Sequence, residues 1–206
     1  MQLLADIGNT RIHIYNGKEV NHLRHEEAIE QYKDKELKYI TVKHQLKEKL
    51  STLENWEDIS SLIKIENEYD TMGIDRKALC LSHRSGIFVS AGSAITVDVV
   101  EEGKYKGGFL LPGLKAYVDA YATISPALLT ELNTKVSLEA LPQTTRDGIS
   151  FGIIASIKLL IEKYQFDKKL YISGGDGEFL SSFFENAEFD ETLIFQGMKN
   201  ALIKEV

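Results

Sequence analysis

Hydrophobic and polar positions follow the same order in the two halves of the chain. A meander of three short strands is predicted at residues 1–7, 11–15 and 20–23, with Asn16-Gly17 as the hairpin turn before the third. A second meander is predicted at residues 86–91, 94–100 and 104–111, with its own turn near Gly103. This repeat predicts an internal duplication with a boundary near residue 85.

Helices and further strands follow each meander. The first half predicts helices at residues 26–33, 45–53 and 75–84 and strands at 37–42 and 59–65. The second half predicts helices within residues 114–131, from a cap at 144–147 to about 161, and at 178–184, with a strand at 170–173. Alternation of this kind predicts an α/β fold of two fused halves, residues 1–84 and 85–206.

The long helix of the second half has a continuous apolar face. Isoleucine and leucine recur at helical spacing at Ile149, Ile153, Ile157, Leu160 and Ile161. A face of this width is typical of a core-facing helix, and it would serve equally as an interface between two copies of the chain.

Each half has a glycine turn between its first two strands, at Gly8 and at Gly92. Small hydroxyl or amide residues follow both glycines, Asn9 and Thr10 in the first turn and Ser93 in the second. Such a turn exposes backbone N–H groups and hydroxyls that can bind phosphate oxygens. The pair of turns therefore predicts a site for the phosphates of one nucleotide.

Composition narrows the class of protein and of partner. The 206 residues are 43% hydrophobic and 27% charged, which is an ordinary globular balance. A net charge of −7 without a basic cluster argues against nucleic acid as a partner. The single cysteine, Cys80, excludes an internal disulfide and suits a buried apolar position. Neither a signal peptide nor an apolar run near the roughly 20 residues of a membrane span is visible, so we expect a cytoplasmic protein without a membrane partner.

Asp6 lies at the end of a predicted strand, directly before the first glycine turn. A carboxylate approaches phosphate only through a cation, and Mg²⁺ commonly binds one or two carboxylates together with substrate phosphates. The alternative is that Asp6 hydrogen-bonds its own backbone and only opens the turn.

The segment from Gly73 to Arg76 is a second candidate site. Gly73 permits close backbone approach, Asp75 could accept a proton, and Arg76 could bind an anion through two hydrogen bonds. The alternative is a helix that begins with Asp75 as its N-cap and leaves Arg76 exposed in the first turn.

Other motifs exclude several enzyme classes. Residues 106–113 join a strand to a helix, and their glycines either allow a tight bend or admit a ligand. Residues 173–177 lie between the end of a strand and a helix, and they lack the spacing of a P-loop or a dinucleotide fingerprint. The histidines have no metal-ligand spacing beyond His22 and His25, so a zinc site is not expected. No serine lies in a G-x-S-x-G elbow, which argues against a hydrolase triad.

Five motifs occur in one order along the chain: residues 6–10 (DIGNT), 73–76 (GIDR), 92–98 (GSAITVD), 107–113 (GGFLLPG) and 173–175 (SGG). With this combination the chain resembles the type III pantothenate kinases, members of the acetate kinase, sugar kinase, Hsp70 and actin superfamily. The resemblance covers nearly the whole chain. It implies two fused ribonuclease H-like halves in the actin-like ATPase architecture.

The resemblance also implies a reaction and its cofactors. A family member makes 4′-phosphopantothenate from pantothenate and ATP, the first step of coenzyme A synthesis, with Mg²⁺ and a monovalent cation, K⁺ or NH₄⁺, and it acts as a homodimer. Arg76 would bind the carboxylate of pantothenate. Asp75 would orient the primary hydroxyl and accept its proton as the γ-phosphoryl group arrives, while Mg²⁺ lies near Asp6.

Site residues are transferred by matching motif positions. The first phosphate-binding segment is Asp6, Ile7, Gly8, Asn9, Thr10, Arg11, Ile12 and His13. Ser93 matches the second phosphate contact, which is usually threonine. The pantothenate site is Tyr69, Gly73, Ile74, Asp75 and Arg76, and Thr145 matches a threonine that reaches pantothenate from the partner subunit.

Two positions depart from the family pattern. Ser90 replaces an aspartate that is tied to the monovalent cation, and a hydroxyl supplies an oxygen ligand without charge, so dependence on K⁺ is an open question. A proline often found between Tyr69 and Gly73 is missing. Two other functions stay open from the residues, a regulatory accessory factor and a kinase of the same superfamily for another small hydroxy acid.

Overall fold

The computed structural model of the chain describes residues 2–203, with the side chain of His44 left out. The first half contains β1 (Leu3–Ile7), β2 (Ile12–Tyr15), β3 (Val20–Leu23), α1 (His25–Tyr32), β4 (Leu37–Thr41), α2 (Lys47–Ser51), β5 (Trp56–Asp58) and α3 (Ile74–Cys80). The second half contains β6 (Gly86–Ala91), β7 (Ala94–Glu101), β8 (Lys104–Pro112), α4 (Leu114–Ile124), α5 (Thr145–Gln165), β9 (Leu170–Ser173), α6 (Gly177–Ser181), β10 (Ala187–Phe189) and α7 (Leu193–Ile203).

The two sheets have the same strand order. One five-stranded sheet runs β3-β2-β1-β4-β5 and the other runs β8-β7-β6-β9-β10. In each sheet, the first strand of the meander is antiparallel to the second strand and parallel to the fourth strand of its half, β4 or β9. The predicted duplication, both meanders and the α/β class are therefore confirmed.

The chain forms two compact units. One contains Met1–Arg84, Glu101–Tyr105 and Thr192–Val206, and the other contains Ser85–Val100 and Lys106–Glu191. The first unit thus includes two segments that the expected division at residue 85 assigned to the second half, the β7–β8 turn and the helix α7. Both segments bury apolar side chains within the first unit, Tyr105 in one and Phe195 in the other.

Side chains on the two faces of β1 enter different clusters of the first unit. Ala5 and Ile7 pack with α1, whereas Leu4 packs in a cluster that contains Ala78 of α3 and Phe195 of α7. Because side chains alternate along a strand, Asp6 lies on the same face as Leu4. This register places Asp6 on the side of the sheet that carries α3.

Helix α7 packs closely against α3 in the first unit. A Cβ at Gly197 would lie 1.7 Å from the carbonyl oxygen of Ala78, so only glycine permits this approach. The Asn200 side-chain amide donates to the carbonyl oxygens of Leu81 and Ser82, at 2.9 and 3.2 Å, just after α3 ends. The helix that carries Asp75 is therefore held in place by a distant part of the sequence.

The apolar face of α5 lies in the core of the second unit. Ile149, Ile153, Ile157 and Ile161 are buried there against β6 and β9, and Leu160 is half-buried. The helix begins as predicted, because Thr144 is its N-cap and the Thr144 hydroxyl accepts from the Asp147 amide at 3.1 Å. The apolar face of α5 was expected to lie either in the core or at an interface between two copies of the chain. The described residues support the core.

The structure corrects several predicted elements. Residues 59–65 are not a strand. They contain a short 3₁₀ turn at Ser60–Leu62, flanked by the buried Ile59 and Ile63. The strand lies earlier in the sequence, at β5. The helices predicted at 75–84, 114–131 and 178–184 end at Cys80, Ile124 and Ser181. Strand β10 and helix α7 were not predicted. Within residues 2–203, no helix is both long and apolar enough for a membrane span.

Candidate functional site

The first glycine turn joins β1 to β2. The Gly8 amide donates to the carbonyl oxygen of Arg11 at 3.0 Å and closes the turn. Asn9 and Thr10 between them are exposed. The turn therefore presents short polar residues and their backbone to solvent at the end of a buried strand, as a phosphate site requires.

Asp6 is a buried carboxyl next to this turn. It is only 7% exposed, and its Oδ1 has no hydrogen-bond partner among the described residues. Burial, and then the negative charge of Asp75, raise the pKa of Asp6 to about 8. Burial disfavours the ionised carboxylate of Asp6 in the absence of a cation. The alternative in which Asp6 only opens the turn does not explain why this carboxyl is buried.

The oxygen chemistry at Asp6 fits Mg²⁺. Residues 2–203 contain no group of three or more histidine, cysteine, aspartate or glutamate side chains placed to bind a metal. A single orphaned carboxylate oxygen suits a cation that takes most of its ligands from phosphate and water. Asp6 would supply the protein ligand of such an ion.

Helix α3 carries the predicted base, Asp75, and the predicted anion-binding residue, Arg76. Its N-cap is Gly73, and a Cβ there would lie 2.6 Å from Oδ1 of Asp75, so glycine leaves room for that carboxylate. Oδ1 of Asp75 accepts from the Arg76 amide at 2.9 Å. Arg76 is only 6% exposed, so the alternative with Asp75 as N-cap and an exposed Arg76 is wrong.

Two tyrosines contact the guanidinium of Arg76. Nη1 donates to the Tyr69 hydroxyl, and Nη2 donates to the Tyr105 hydroxyl at 3.3 Å. The guanidinium carbon also lies 5.7 Å from the centre of the Tyr69 ring, as in a cation–π contact. Tyr69 was predicted for this site, whereas Tyr105 was not.

An ion pair holds the loop before α3 to the helix. Glu68 accepts from Lys77 through Oε1 at 2.7 Å and from the Ile65 amide through Oε2 at 2.8 Å. The Glu68 and Lys77 side chains are 26% and 13% exposed, so water screens this pair less than an exposed one. Tyr69, the next residue, is thereby fixed near Arg76.

The second glycine turn joins β6 to β7. The Gly92 amide donates to the Ala94 carbonyl oxygen at 3.0 Å, and Ser93 is exposed. A Cβ at Gly113 would lie 2.2 Å from the Gly92 carbonyl oxygen. A Cβ at Gly174, where φ is +95°, would lie 2.4 Å from the Ala91 carbonyl oxygen. The glycines of the two later motifs therefore let two other chain segments touch this turn.

Ser90 has hydroxyl neighbours on both adjacent strands. It lies opposite Thr96 of β7 and Ser173 of β9. Directly paired residues share a face of the sheet, so three hydroxyls lie side by side there. Thr96 Oγ1 is buried without a hydrogen-bond partner among residues 2–203. These three hydroxyl groups provide neutral oxygen atoms and no negative charge.

Two further predicted residues are Thr145, in the second unit, and His13, in the first. Thr145 is exposed at the start of α5. In the first unit His13 Nδ1 lies 2.6 Å from His22 Nδ1, and burial, followed by nearby positive groups, lowers the pKa of His13 to about 4. A neutral His13 cannot offer a positive charge to a phosphate. Its contact with His22 fits a role in supporting the strand instead.

Comparison with known proteins agrees with these motifs. The family model described as type III pantothenate kinase matches residues 42–165. A type III pantothenate kinase of Campylobacter jejuni subsp. jejuni serotype O:2 is 41% identical over 203 residues, which are 98% of this chain and 97% of the relative. A crystal structure from Campylobacter jejuni, described as a conserved protein of the Baf transcriptional activator family, is 38% identical with a TM-score of 0.87 and covers 98% of both chains.

A more distant structure shows the fold alone. A Sinorhizobium meliloti protein described as a 2-dehydro-3-deoxygalactonokinase is 10% identical, with a TM-score of 0.59 over 100% of this chain and 99% of that one. Together with the matching strand orders, it confirms the predicted fold of two similar α/β halves. On full-length identity and the matched family model, the chain belongs to the type III pantothenate kinases.

Proposed function

We propose that the residues around α3 and the two glycine turns perform the reaction of this family in this chain, the phosphorylation of pantothenate by ATP to 4′-phosphopantothenate. The chain is a kinase that uses ATP and a divalent metal. The observation that carries the residue assignment is the start of α3, where the carboxylate of Asp75 and the buried guanidinium of Arg76 are adjacent.

The acceptor site follows from the chemistry of pantothenate. Its carboxylate needs a planar cation with several donors, and Arg76 is the buried arginine of the segment. Its primary hydroxyl needs a base within hydrogen-bond reach. Asp75 orients that hydroxyl and takes its proton, while the hydroxyl oxygen forms the new bond to phosphorus and ADP leaves with the electrons of the broken bond.

The nucleotide site uses the two turns and Asp6. Backbone amides and hydroxyls at residues 8–10 and 92–93 bind phosphate oxygens in this proposal. Asp6 would hold Mg²⁺ together with substrate phosphates, and the ion would supply positive charge against the negative charge that develops during transfer. The orphaned Oδ1 of Asp6 supports this assignment.

The monovalent cation, K⁺ or NH₄⁺, forms a separate part of the proposal. The hydroxyls of Ser90, Thr96 and Ser173 supply neutral oxygen ligands in place of the usual carboxylate. Binding through neutral oxygens alone is weaker, so we expect activation to need more K⁺ than a carboxylate site would. Turnover measured against K⁺ concentration tests this, and a rate independent of K⁺ and NH₄⁺ contradicts it.

We also propose a cytoplasmic homodimer in which Thr145 reaches the partner's pantothenate site. Thr145 is exposed, and the same unit exposes large aliphatic side chains that include Ile124, Leu129 and Leu141, at 73%, 74% and 82%. Large exposed aliphatic side chains can supply apolar area to an interface between two copies. The mass in solution from light scattering and the activity of Thr145→Ala test this part.

The central experiment replaces the proposed base. The purified chain is incubated with ATP, Mg²⁺ and pantothenate, and 4′-phosphopantothenate is detected by mass spectrometry. We expect Asp75→Asn to lose at least about a hundredfold in kcat, the lower range for a general base. Asp70→Asn, at an exposed position of the preceding loop, is the matched control and should keep its rate. Near-normal turnover of Asp75→Asn would sink the assignment.

The same assay separates the alternatives. A regulatory accessory protein would form no product, and a kinase for another hydroxy acid would phosphorylate that acid and leave pantothenate unchanged. Either result would reject pantothenate as the acceptor.

A further inference from the structure

We infer that His25 and Lys43 are positioning residues for ATP, because they bind the back of the first glycine turn and thereby direct its amides toward phosphate. The inference rests on the proposed function, which assigns ATP phosphates to this turn. Neither residue follows from the motifs, since both lie outside them in the sequence.

Three consecutive carbonyl oxygens of the turn have donors from other parts of the first unit. The Ile7 oxygen accepts from the Val42 amide at 3.2 Å. The Gly8 oxygen lies 2.9 Å from Nε2 of His25. The Asn9 oxygen accepts from Nζ of Lys43 at 2.7 Å.

Peptide planarity turns these contacts into an orientation. In a trans peptide the C=O of one residue points away from the N–H of the next. With the Gly8 and Asn9 oxygens bound to His25 and Lys43, the amides of Asn9 and Thr10 point to the opposite side. Neither of those two amides has a hydrogen-bond partner among the described residues. They are therefore the donors that the turn can offer to a phosphate.

The second turn shows the same arrangement at two of the three equivalent carbonyl oxygens, with different donors. The Ala91 oxygen, at the position of Ile7, accepts from the Asp176 amide at 3.0 Å. The Ser93 oxygen, at the position of Asn9, accepts from the Gly113 amide at 3.2 Å. Lys43 thus does with a side chain in the first unit what Gly113 does with its backbone in the second. Because carbonyl oxygens of both turns accept hydrogen bonds from other segments of their units, we expect these bonds to orient the amides in both turns.

The chemistry of the two donors is specific. Gly8 offers His25 only a carbonyl oxygen, so Nε2 must carry the proton in this contact. Lys43 contributes a charged donor, and its own amide is fixed by the Thr41 hydroxyl at 3.0 Å. Loss of either donor would free one peptide to rotate, and one phosphate contact would be lost with it.

The test separates ATP binding from the other steps. Steady-state kinetics with ATP and pantothenate varied in turn are measured for His25→Leu and Lys43→Met. We expect each variant to raise KM for ATP about tenfold, the scale of one hydrogen bond to a charged group. The pantothenate KM and kcat should stay within about twofold, because no group that touches the acceptor has changed.

Conservative and control variants sharpen the result. Lys43→Arg and His25→Gln keep a donor and should recover much of the affinity for ATP. Lys47→Met removes an exposed lysine of α2, and His83→Leu removes a half-buried histidine after α3, so both should keep the normal KM. If His25→Leu fails to fold by circular dichroism, the Lys43 pair decides the question.

Two results would overturn the inference. One is an unchanged KM for ATP in Lys43→Met, and the other is an equal rise in KM for ATP and pantothenate, which would indicate a general structural effect. If the enzyme shows either result while Asp75→Asn is inactive, the roles of His25 and Lys43 fail and the proposed function stands.

Discussion

Asp6 and Asp75 are electrostatically coupled, and after burial itself the charge of Asp75 is what raises the pKa of the Asp6 carboxyl to about 8. The two residues come from β1 and α3 of the same unit. A base that must be ionised therefore lies near an acid that keeps its proton at neutral pH until a cation arrives.

The stability prediction concerns Asp6→Asn. The Asp6 pKa is about 8 in the folded protein and near 3.8 in the unfolded chain, so between these values only the folded form keeps the proton. The contribution of Asp6 to stability therefore falls as pH rises from about 4 to about 8. The variant has no charge to bury, so its free energy of unfolding should exceed that of the wild type by a few kcal/mol at pH 8, at about 1.4 kcal/mol per pKa unit.

Urea denaturation at several pH values between about 4 and 8.5 checks this, because the difference between the two proteins should shrink as the pH falls toward about 4. A wild-type advantage at pH 8 would show that Asp6 is ionised and paired in the free protein, against the unpartnered state described above.

The second prediction is proton release when the nucleotide binds. Mg²⁺ near Asp6 favours the ionised carboxylate, so at pH 7 binding of Mg²⁺–ATP should release close to one proton from this group. Calorimetry in two buffers of different ionisation enthalpy measures the number. Asp6→Asn should bind more weakly and release none from this position. Equal release from both proteins would mean that the proton comes from another group.

A third prediction concerns the second turn and Gly174. Replacement by alanine places a Cβ 2.4 Å from the Ala91 carbonyl oxygen at φ +95°, so the turn must shift. We expect Gly174→Ala to lose about 1–3 kcal/mol of stability, the usual cost of overpacking, and to raise KM for ATP. Its neighbour Gly175 has no atom within 4 Å of an added Cβ, so Gly175→Ala is the matched control. Similar kinetics for the two variants would show that contact with this turn does not matter for ATP.

Local patterns predicted the parts of the site that lie next to one another in the sequence. A short apolar run located β1, and the hydroxyl and acid spacing located the cap of α5 at Thr144, because each signal acts within a few residues. Burial of Arg76 and of Asp6 could not be predicted in this way. Arg76 contacts Tyr105, which lies 29 residues further along the chain, and α3 is held by Asn200 of α7, which binds Leu81 across 119 residues. Local propensity does not encode contacts over such separations.

Tyr105 is the clearest case of such a missed residue. It belongs to β8 of the second sheet but to the first compact unit, where its amide donates to the Glu66 carbonyl oxygen at 2.8 Å. No periodicity distinguishes it from the other tyrosines, and only the hydrogen bond from Arg76 shows its role.

The last prediction is that Tyr105→Phe weakens pantothenate binding. The variant loses the hydroxyl that accepts from Nη2 of Arg76 and keeps the buried ring, so the guanidinium becomes less well fixed for the substrate carboxylate. We expect KM for pantothenate to rise about tenfold, the scale of a hydrogen bond to a charged group, with KM for ATP unchanged. Tyr39→Phe removes a hydroxyl from another buried tyrosine of the same unit and should leave both values as they are. A rise in KM for ATP alone would place Arg76 with the nucleotide instead of the acceptor.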